Sequence, residues 1–145
     1  MKLAKCLLAL YCLAAVGCGA GGTSSTGVSK GDYESLRTTS AIYGMYMTEH
    51  GGKTPPDEQA FRTFVSGKQD ILDKVGKTAE AVLSSPRSGE PFVFVVGKRP
   101  PVNRQTGMAY VAYEKTPVEG SRLVVAMRGI YELMDEAKFK QIFPQ

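Results

Sequence analysis

Cysteine is absent from this sequence beyond residue 18, and histidine occurs once, at position 50. The cysteine-free stretch excludes a disulfide framework, a thiol nucleophile and a cysteine zinc site from residues 19–145. A lone histidine cannot build a zinc site, because such a site needs three or four ligands. We therefore expect no metal and no cofactor. We interpret His50 as a residue at a helix C-terminus, where an imidazolium meets the negative end of the helix dipole.

A strong basic excess and a phosphate-binding loop are also absent. The chain has 18 lysines and arginines against 14 acidic residues. This balance lies far from the basicity typical of nucleic-acid-binding domains. The sequence contains neither G-x-x-x-x-G-K-[ST] nor a strand-linked G-x-G-x-x-G motif. We therefore predict no nucleic-acid partner.

The first residues have the pattern of an export signal. Lys2 and Lys5 give a positive start, and Leu3 to Val16 is mostly apolar. This run is too short for a membrane-spanning helix, which needs about 20 apolar residues. Its length is typical of the apolar region of a signal peptide.

The stretch AAVGC, which ends at Cys18, resembles the lipobox of bacterial lipoproteins, although Ala15 stands where that family prefers leucine. The resemblance implies that residues 1–17 are a signal peptide and that Cys18 carries a diacylglycerol. Two acyl chains hold a protein on a membrane where one chain barely does. An ordinary secretory signal, cleaved near Gly17 or Ala20, is the alternative and would give a soluble exported protein.

Residues 18–31 continue as a stretch rich in glycine, serine and threonine. We predict that they form a lipidated flexible tether with a reach of roughly 20 Å. Among lipoproteins, aspartate directly after the lipidated cysteine marks retention in the inner membrane. Gly19 stands there in this sequence. The resemblance therefore implies a periplasm-facing protein of the cell envelope, more at the outer than at the inner membrane.

Residues 32–145 have the length of a single domain, and helices are predicted first. The apolar period predicts a helix from Asp32, as its N-cap, to His50, and Gly51-Gly52 is a stop signal. A second helix is predicted over 55–66, with Thr54 and Asp57 as a capping box. Further short helices or irregular packing are expected over 71–83.

Strand patterns then replace the helical ones. Four β-branched and aromatic runs predict strands that begin near Phe92, Met108, Arg122 and Ile130. Asp135 can cap a last short helix whose apolar face contains Phe139, Ile142 and Phe143. Helices followed by a four-stranded antiparallel meander and a short C-terminal helix predict an α+β domain.

The segments AIYGMYMTEHGGKTPPDEQAFRTFV and SSPRSGEPFVFVVG resemble the major pseudopilins of type II secretion in their order, over residues 32–97. This implies a pilin-like domain. The chain departs from that family in its cleavable signal, because pseudopilins polymerise through a long apolar N-terminal helix. It departs also in the C-terminal calcium site, since Glu132, Asp135 and Glu136 form no Asp-x-Asp-x-Asp-Gly pattern. Neither assembly nor metal binding is carried over.

Three groups of residues could bear a function, and each has a simpler interpretation. The pairs Asp57-Glu58 and Asp135-Glu136 could serve a cell-wall hydrolase, but first helical turns favour acids anyway. Lys98, Arg99 and Arg104, with Pro100-Pro101, could contact lipid headgroups or cell-wall polymer, or form a solvated loop. Tyrosines on the first helix could form a partner-binding face or belong to the core: Tyr33, Tyr43 and Tyr46.

We therefore predict a non-enzymatic envelope lipoprotein with no catalytic residue, anchored through Cys18. Its domain would contact another envelope protein, since the exposed edge of a pilin-like sheet can pair with another chain. A cell-wall polymer binder or hydrolase is the alternative.

Overall fold

The computed structural model describes residues 28–144, so the predicted signal peptide, Cys18 and most of the predicted tether lie outside the described residues. Within that part, the four strands form one antiparallel sheet in chain order. The predicted α+β architecture and its meander are confirmed. The elements are α1 (Lys30–Glu49), α2 (Glu58–Ser66), α3 (Gln69–Val75), α4 (Ala79–Leu83), β1 (Phe92–Phe94), β2 (Tyr110–Glu114), β3 (Ser121–Ala126), a 3₁₀ turn (Met127–Gly129), β4 (Tyr131–Asp135) and α5 (Glu136–Ile142).

The first helix starts two residues earlier than predicted. Its N-cap is Ser29, whose hydroxyl accepts a hydrogen bond from the Asp32 N–H at 3.2 Å. The Asp32 carboxylate in turn accepts the Ser29 N–H at 3.0 Å. Asp32 is therefore the third helical residue of a capping box and not the N-cap, and the predicted tether ends before Lys30. As predicted, the helix stops before Gly51 and Gly52, which both have positive φ.

The second helix starts three residues later than predicted, at Glu58. Asp57 alone is the cap, since its carboxylate accepts the Ala60 N–H at 2.7 Å. Thr54 therefore takes no part in a capping box. The buried Pro55 belongs to an extended segment, where its carbonyl accepts the Gly97 N–H at 2.7 Å.

The sheet is covered on both faces. One face packs against α1–α4 in a cluster that includes Leu36, Tyr43, Phe61, Phe92, Leu123 and Val125. The other packs against α5 in a cluster that includes Val124, Ala126, Met134, Phe139 and Phe143. Neighbouring residues of β3 thus alternate between two apolar layers, because successive side chains of a strand point to opposite faces. No helix in the described part is long and apolar enough to span a membrane.

A β-bulge divides β2 into two parts. Tyr110 pairs with Ala126 and Ala112 pairs with Val125, so Val111 is an extra residue on this strand. Strict alternation would place Tyr110 on the face of Ala112. The bulge instead places Tyr110 in the cluster beneath α5.

The turn between β3 and β4 touches α1 directly. Arg128 and Gly129 both have positive φ, 64° and 75°. A Cβ atom on Gly129 would lie 3.0 Å from Cγ and 3.1 Å from Cα of Arg37. Glycine is therefore required here by the backbone conformation and by the closeness of the helix.

Candidate functional site

The basic loop, residues 97–107, connects β1 to β2 and is the most strongly charged connection between strands. It carries Lys98, Arg99 and Arg104, and no acidic residue occurs anywhere in 91–113. All three cationic residues are exposed. The structure thus places the predicted basic residues on one connected surface segment.

Backbone contacts hold the loop at both ends. The Gly97 N–H donates to the Pro55 carbonyl at 2.7 Å, and the Tyr110 N–H donates to the Pro101 carbonyl at 2.8 Å. In the middle, the Asn103 side-chain oxygen accepts two backbone N–H groups, at 2.8 and 2.9 Å. Pro100 is buried. The basic side chains are therefore exposed from a backbone that is itself fixed.

Cleft A lies on one side of the loop and has a volume of about 520 Å³. It brings Lys53, from the connection between α1 and α2, beside Lys98 and Arg99. None of these three cations forms a salt bridge within residues 28–144. The sequence analysis missed Lys53, because nothing local connects it to residues 45 positions away. The lining residues are Met47, Gly52, Lys53, Thr54, Gly97, Lys98, Arg99, Pro100, Val102 and Ala109.

Cleft B lies on the other side and has a volume of about 280 Å³, with Arg104, Lys138 and Gln141 in its lining. The Tyr110 hydroxyl donates to Glu132 Oε2 at 2.9 Å and accepts from Asn103 Nδ2 at 2.7 Å. Burial, with the neighbouring Glu132 carboxylate, raises the pKa of Tyr110 to about 12. The β2 bulge makes this arrangement possible, because it turns Tyr110 toward Glu132.

The two clefts meet at Val102, which lines both and is 47% exposed. We call Lys53, Lys98, Arg99, Val102, Arg104 and Lys138 the basic surface. Glu132 is the acidic residue bonded beneath it, and it is already paired with Lys138. The basic surface therefore carries an excess of positive charge over two adjacent clefts that share Val102.

The carboxylates considered for catalysis or calcium are held by other groups. Asp57 caps α2, and Glu58 lies 3.8 Å from Arg62. Asp135 caps α5 as predicted, since it accepts the Lys138 N–H at 2.8 Å. Hydrogen bonding from Arg122 lowers the pKa of Glu136.

None of these carboxylates lines cleft A or cleft B. Residues 28–144 contain no group of three His, Cys, Asp or Glu side chains that could hold a metal ion. The structure therefore does not bring the sequence-predicted acidic pairs together at a cleft.

His50 and the tyrosines of α1 have structural contacts. His50 is the residue that ends α1, as expected, and its ring stacks on Tyr46 with centroids 3.9 Å apart. Tyr43 is buried and donates its hydroxyl to the Val95 carbonyl, and burial raises the pKa of Tyr43. Of the two alternatives for these tyrosines, the core therefore holds for Tyr43 and Tyr46, whereas Tyr33 is 38% exposed.

A buried polar cluster was missed by the sequence analysis. Glu114, 1% exposed, accepts hydrogen bonds from Ser85 Oγ at 2.5 Å and from the Leu123 N–H at 2.7 Å. Arg87 Nη1 lies 3.5 Å from Glu114 Oε2, the oxygen that also accepts the Leu123 N–H, and Arg87 donates to the Val118 carbonyl at 2.7 Å. An arginine in a turn segment and a glutamate ending an apolar strand were the available signals. Comparisons with protein-family models, curated proteins and solved structures found no match.

Proposed function

We propose that this chain is a lipid-anchored protein of the bacterial cell envelope whose α+β domain is a non-enzymatic interaction module. The observation that carries the proposal is the order of segments at the amino end. An apolar signal is followed by the lipobox-like stretch ending at Cys18, and eleven residues later Ser29 caps the first helix. A signal, an acylated cysteine and a short spacer before a folded domain are what membrane anchoring from outside the cytoplasm requires.

The predicted anchor precedes α1 in the chain, whereas cleft A lies near the other end of this helix. The helix has 20 residues and therefore spans about 30 Å. Its first turn follows the spacer from Cys18, whereas Met47 near its last turn lines cleft A. The module would thus present the basic surface away from the membrane that holds it.

Two kinds of partner are compatible with this arrangement. β4 pairs only with β3 in the described part of the chain, so its other edge could accept a strand of an envelope protein, as in a pilin-like domain. The second candidate is a cell-wall polymer, and the basic surface favours it. Between polymer binding and polymer hydrolysis the geometry favours binding, because the candidate carboxylates cap helices or form ion pairs.

The anchoring proposal is tested by Cys18→Ala, with Cys12→Ala as the matched control inside the predicted signal peptide. We expect intact mass of the purified native chain to show a diacylglycerol on Cys18. The Cys18→Ala chain should leave the membrane fraction, and the Cys12→Ala chain should stay in it. Membrane retention of Cys18→Ala, or an unmodified amino end on the native chain, would contradict the proposal.

A further inference from the structure

We propose that the basic surface binds an anionic glycan, a polysaccharide with a carboxylate or phosphate group at regular intervals. This inference rests on the proposed function only for the location of the ligand, outside the cytoplasm. It assigns the ligand class from the charges, the shape and the neutral polar groups of clefts A and B.

The arrangement of charge favours a ligand with several anionic groups. Lys53, Lys98 and Arg99 surround cleft A, and Arg104 lines cleft B. Val102 lines both clefts, which have volumes of about 520 and 280 Å³, so the cations are distributed over two adjacent clefts. A single small anion would need cations that converge at one point, whereas cations distributed over adjacent clefts match an extended polyanion.

The neutral side chains of the clefts favour a glycan over an acidic protein segment. Thr54, Gln105 and Gln141 line the clefts beside the cations, and both glutamines are exposed. Amides and hydroxyls match the many hydroxyl groups of a sugar chain. The core of a protein interface is enriched in aromatic residues, and the lining of cleft A within residues 28–144 contains none.

The position of the surface disfavours the headgroups of the protein's own membrane. Met47, which lines cleft A, lies in the last turn of α1, and the two ends of this 20-residue helix are about 30 Å apart. The backbone beneath the basic surface is held in place near the buried Pro55 and Pro100. The basic side chains line concave clefts and do not form the flat face that would suit a membrane.

The experiment uses the full lipidated chain anchored in neutral phosphatidylcholine vesicles. Fluorescent polygalacturonate and a phosphomannan, a polysaccharide that carries phosphate groups, supply the carboxylate and phosphate arms. Neutral dextran tests whether the ligand must be charged. Poly-L-glutamate and phosphatidylglycerol vesicles test whether an anionic peptide or an anionic lipid binds as well as a glycan does. We expect capture of at least one anionic glycan, weaker capture of poly-L-glutamate and none of dextran, with binding reduced by salt.

The variant Lys98→Gln/Arg99→Gln should weaken glycan capture by about five- to tenfold, the effect of losing two exposed ion pairs. Lys74→Gln/Lys115→Gln removes the same charge outside clefts A and B and should leave capture unchanged. Equal losses in both variants would overturn the inference. So would equal binding of poly-L-glutamate, preferential bridging to phosphatidylglycerol vesicles, or no capture. Since anchoring is read separately from intact mass, failed capture by a correctly lipidated chain counts against this inference alone.

Discussion

The Arg87–Glu114 ion pair and the basic surface are both built from charged side chains, but they differ in burial and in pairing. The side chains of Arg87 and Glu114 are 6% and 0% exposed and have partners in the fold. Lys98 and Arg99 are exposed and form no salt bridge in the described part. Buried charge must be matched to be tolerated, whereas exposed charge need not be. The first pair is thus needed by the fold, and the second is available to a ligand.

Loss of the Glu114 carboxylate should have the largest effect on stability. In Glu114→Ala, Arg87 becomes an uncompensated buried charge, and Ser85 and the Leu123 N–H lose their acceptor. We expect the free energy of unfolding to fall by about 3–5 kcal/mol, measured by urea denaturation.

The control for this prediction is Glu119→Ala, which truncates an exposed glutamate outside the cluster. Its effect should stay within about 0.5 kcal/mol. If Glu114→Ala were as mild as Glu119→Ala, the buried cluster would not be needed by the fold, and the contrast with the basic surface would disappear.

Two glycines with positive φ, one packed against α1 and one in the basic loop, allow a second comparison. Gly129→Ala adds a Cβ within 3.1 Å of Arg37 at a φ of +75°. Gly107→Ala, in the basic loop, has a similar φ of +69° but no atom within 4 Å of the added Cβ. Both variants should lose about 1–2 kcal/mol from backbone strain, and only Gly129→Ala should lose more through the clash with α1. Equal decreases in melting temperature for the two variants would show that α1 accommodates the added Cβ without a loss of stability.

The sequence predicted the elements whose signals are local. The period of α1, the stop at Gly51-Gly52 and the cap at Asp135 all depend on residues a few positions apart. The predicted starts of α1 and α2 were wrong because the role of a nearby acid was misassigned in each. Asp32 was predicted to cap α1 but is its third residue, and Asp57 was paired with Thr54 but caps α2 alone. Local patterns predict the existence of a helix more reliably than they predict its first residue.

Long-range arrangements could not be predicted in the same way. Val111 appears as one more residue of an alternating strand, yet it forms a bulge that turns Tyr110 to the opposite face. Lys53 and Lys98 line the same cleft, and the Gly97 N–H, which donates to the Pro55 carbonyl, holds their two segments together. The same holds for Arg87 and Glu114, which are 27 residues apart. The loop cations were identified from sequence, but the clefts around them were not.

Stability at high pH should depend on the buried tyrosines. Burial and Glu132 raise the pKa of Tyr110 to about 12, and burial also raises the pKa of Tyr43, whereas an unfolded tyrosine has a pKa near 10. Above pH 10 the unfolded chain therefore binds fewer protons than the folded chain. The free energy of unfolding is unaffected below pH 10 and falls between pH 10 and 12, by at most about 1.4 kcal/mol per pH unit for each such tyrosine.

Tyr110→Phe separates this contribution, because the variant should show a shallower decline than the parent when urea denaturation is repeated at pH 9, 10 and 11. Tyr33→Phe, at an exposed position, is the matched control and should keep the parent slope. Identical slopes for Tyr110→Phe and the parent would show that Tyr110 ionises in the fold as it does in the unfolded chain.

The smallest effect on stability is expected on the basic surface itself. Lys98→Gln/Arg99→Gln removes two exposed cations that form no ion pair in the described residues, so the free energy of unfolding should change by less than about 0.5 kcal/mol. The same variant should weaken glycan capture, whereas Glu119→Ala should change neither quantity. A loss of binding without a loss of stability would assign these charges to recognition. A loss of stability near that of Glu114→Ala would show that the loop cations belong to the fold, and the distinction between the two clusters would then be wrong.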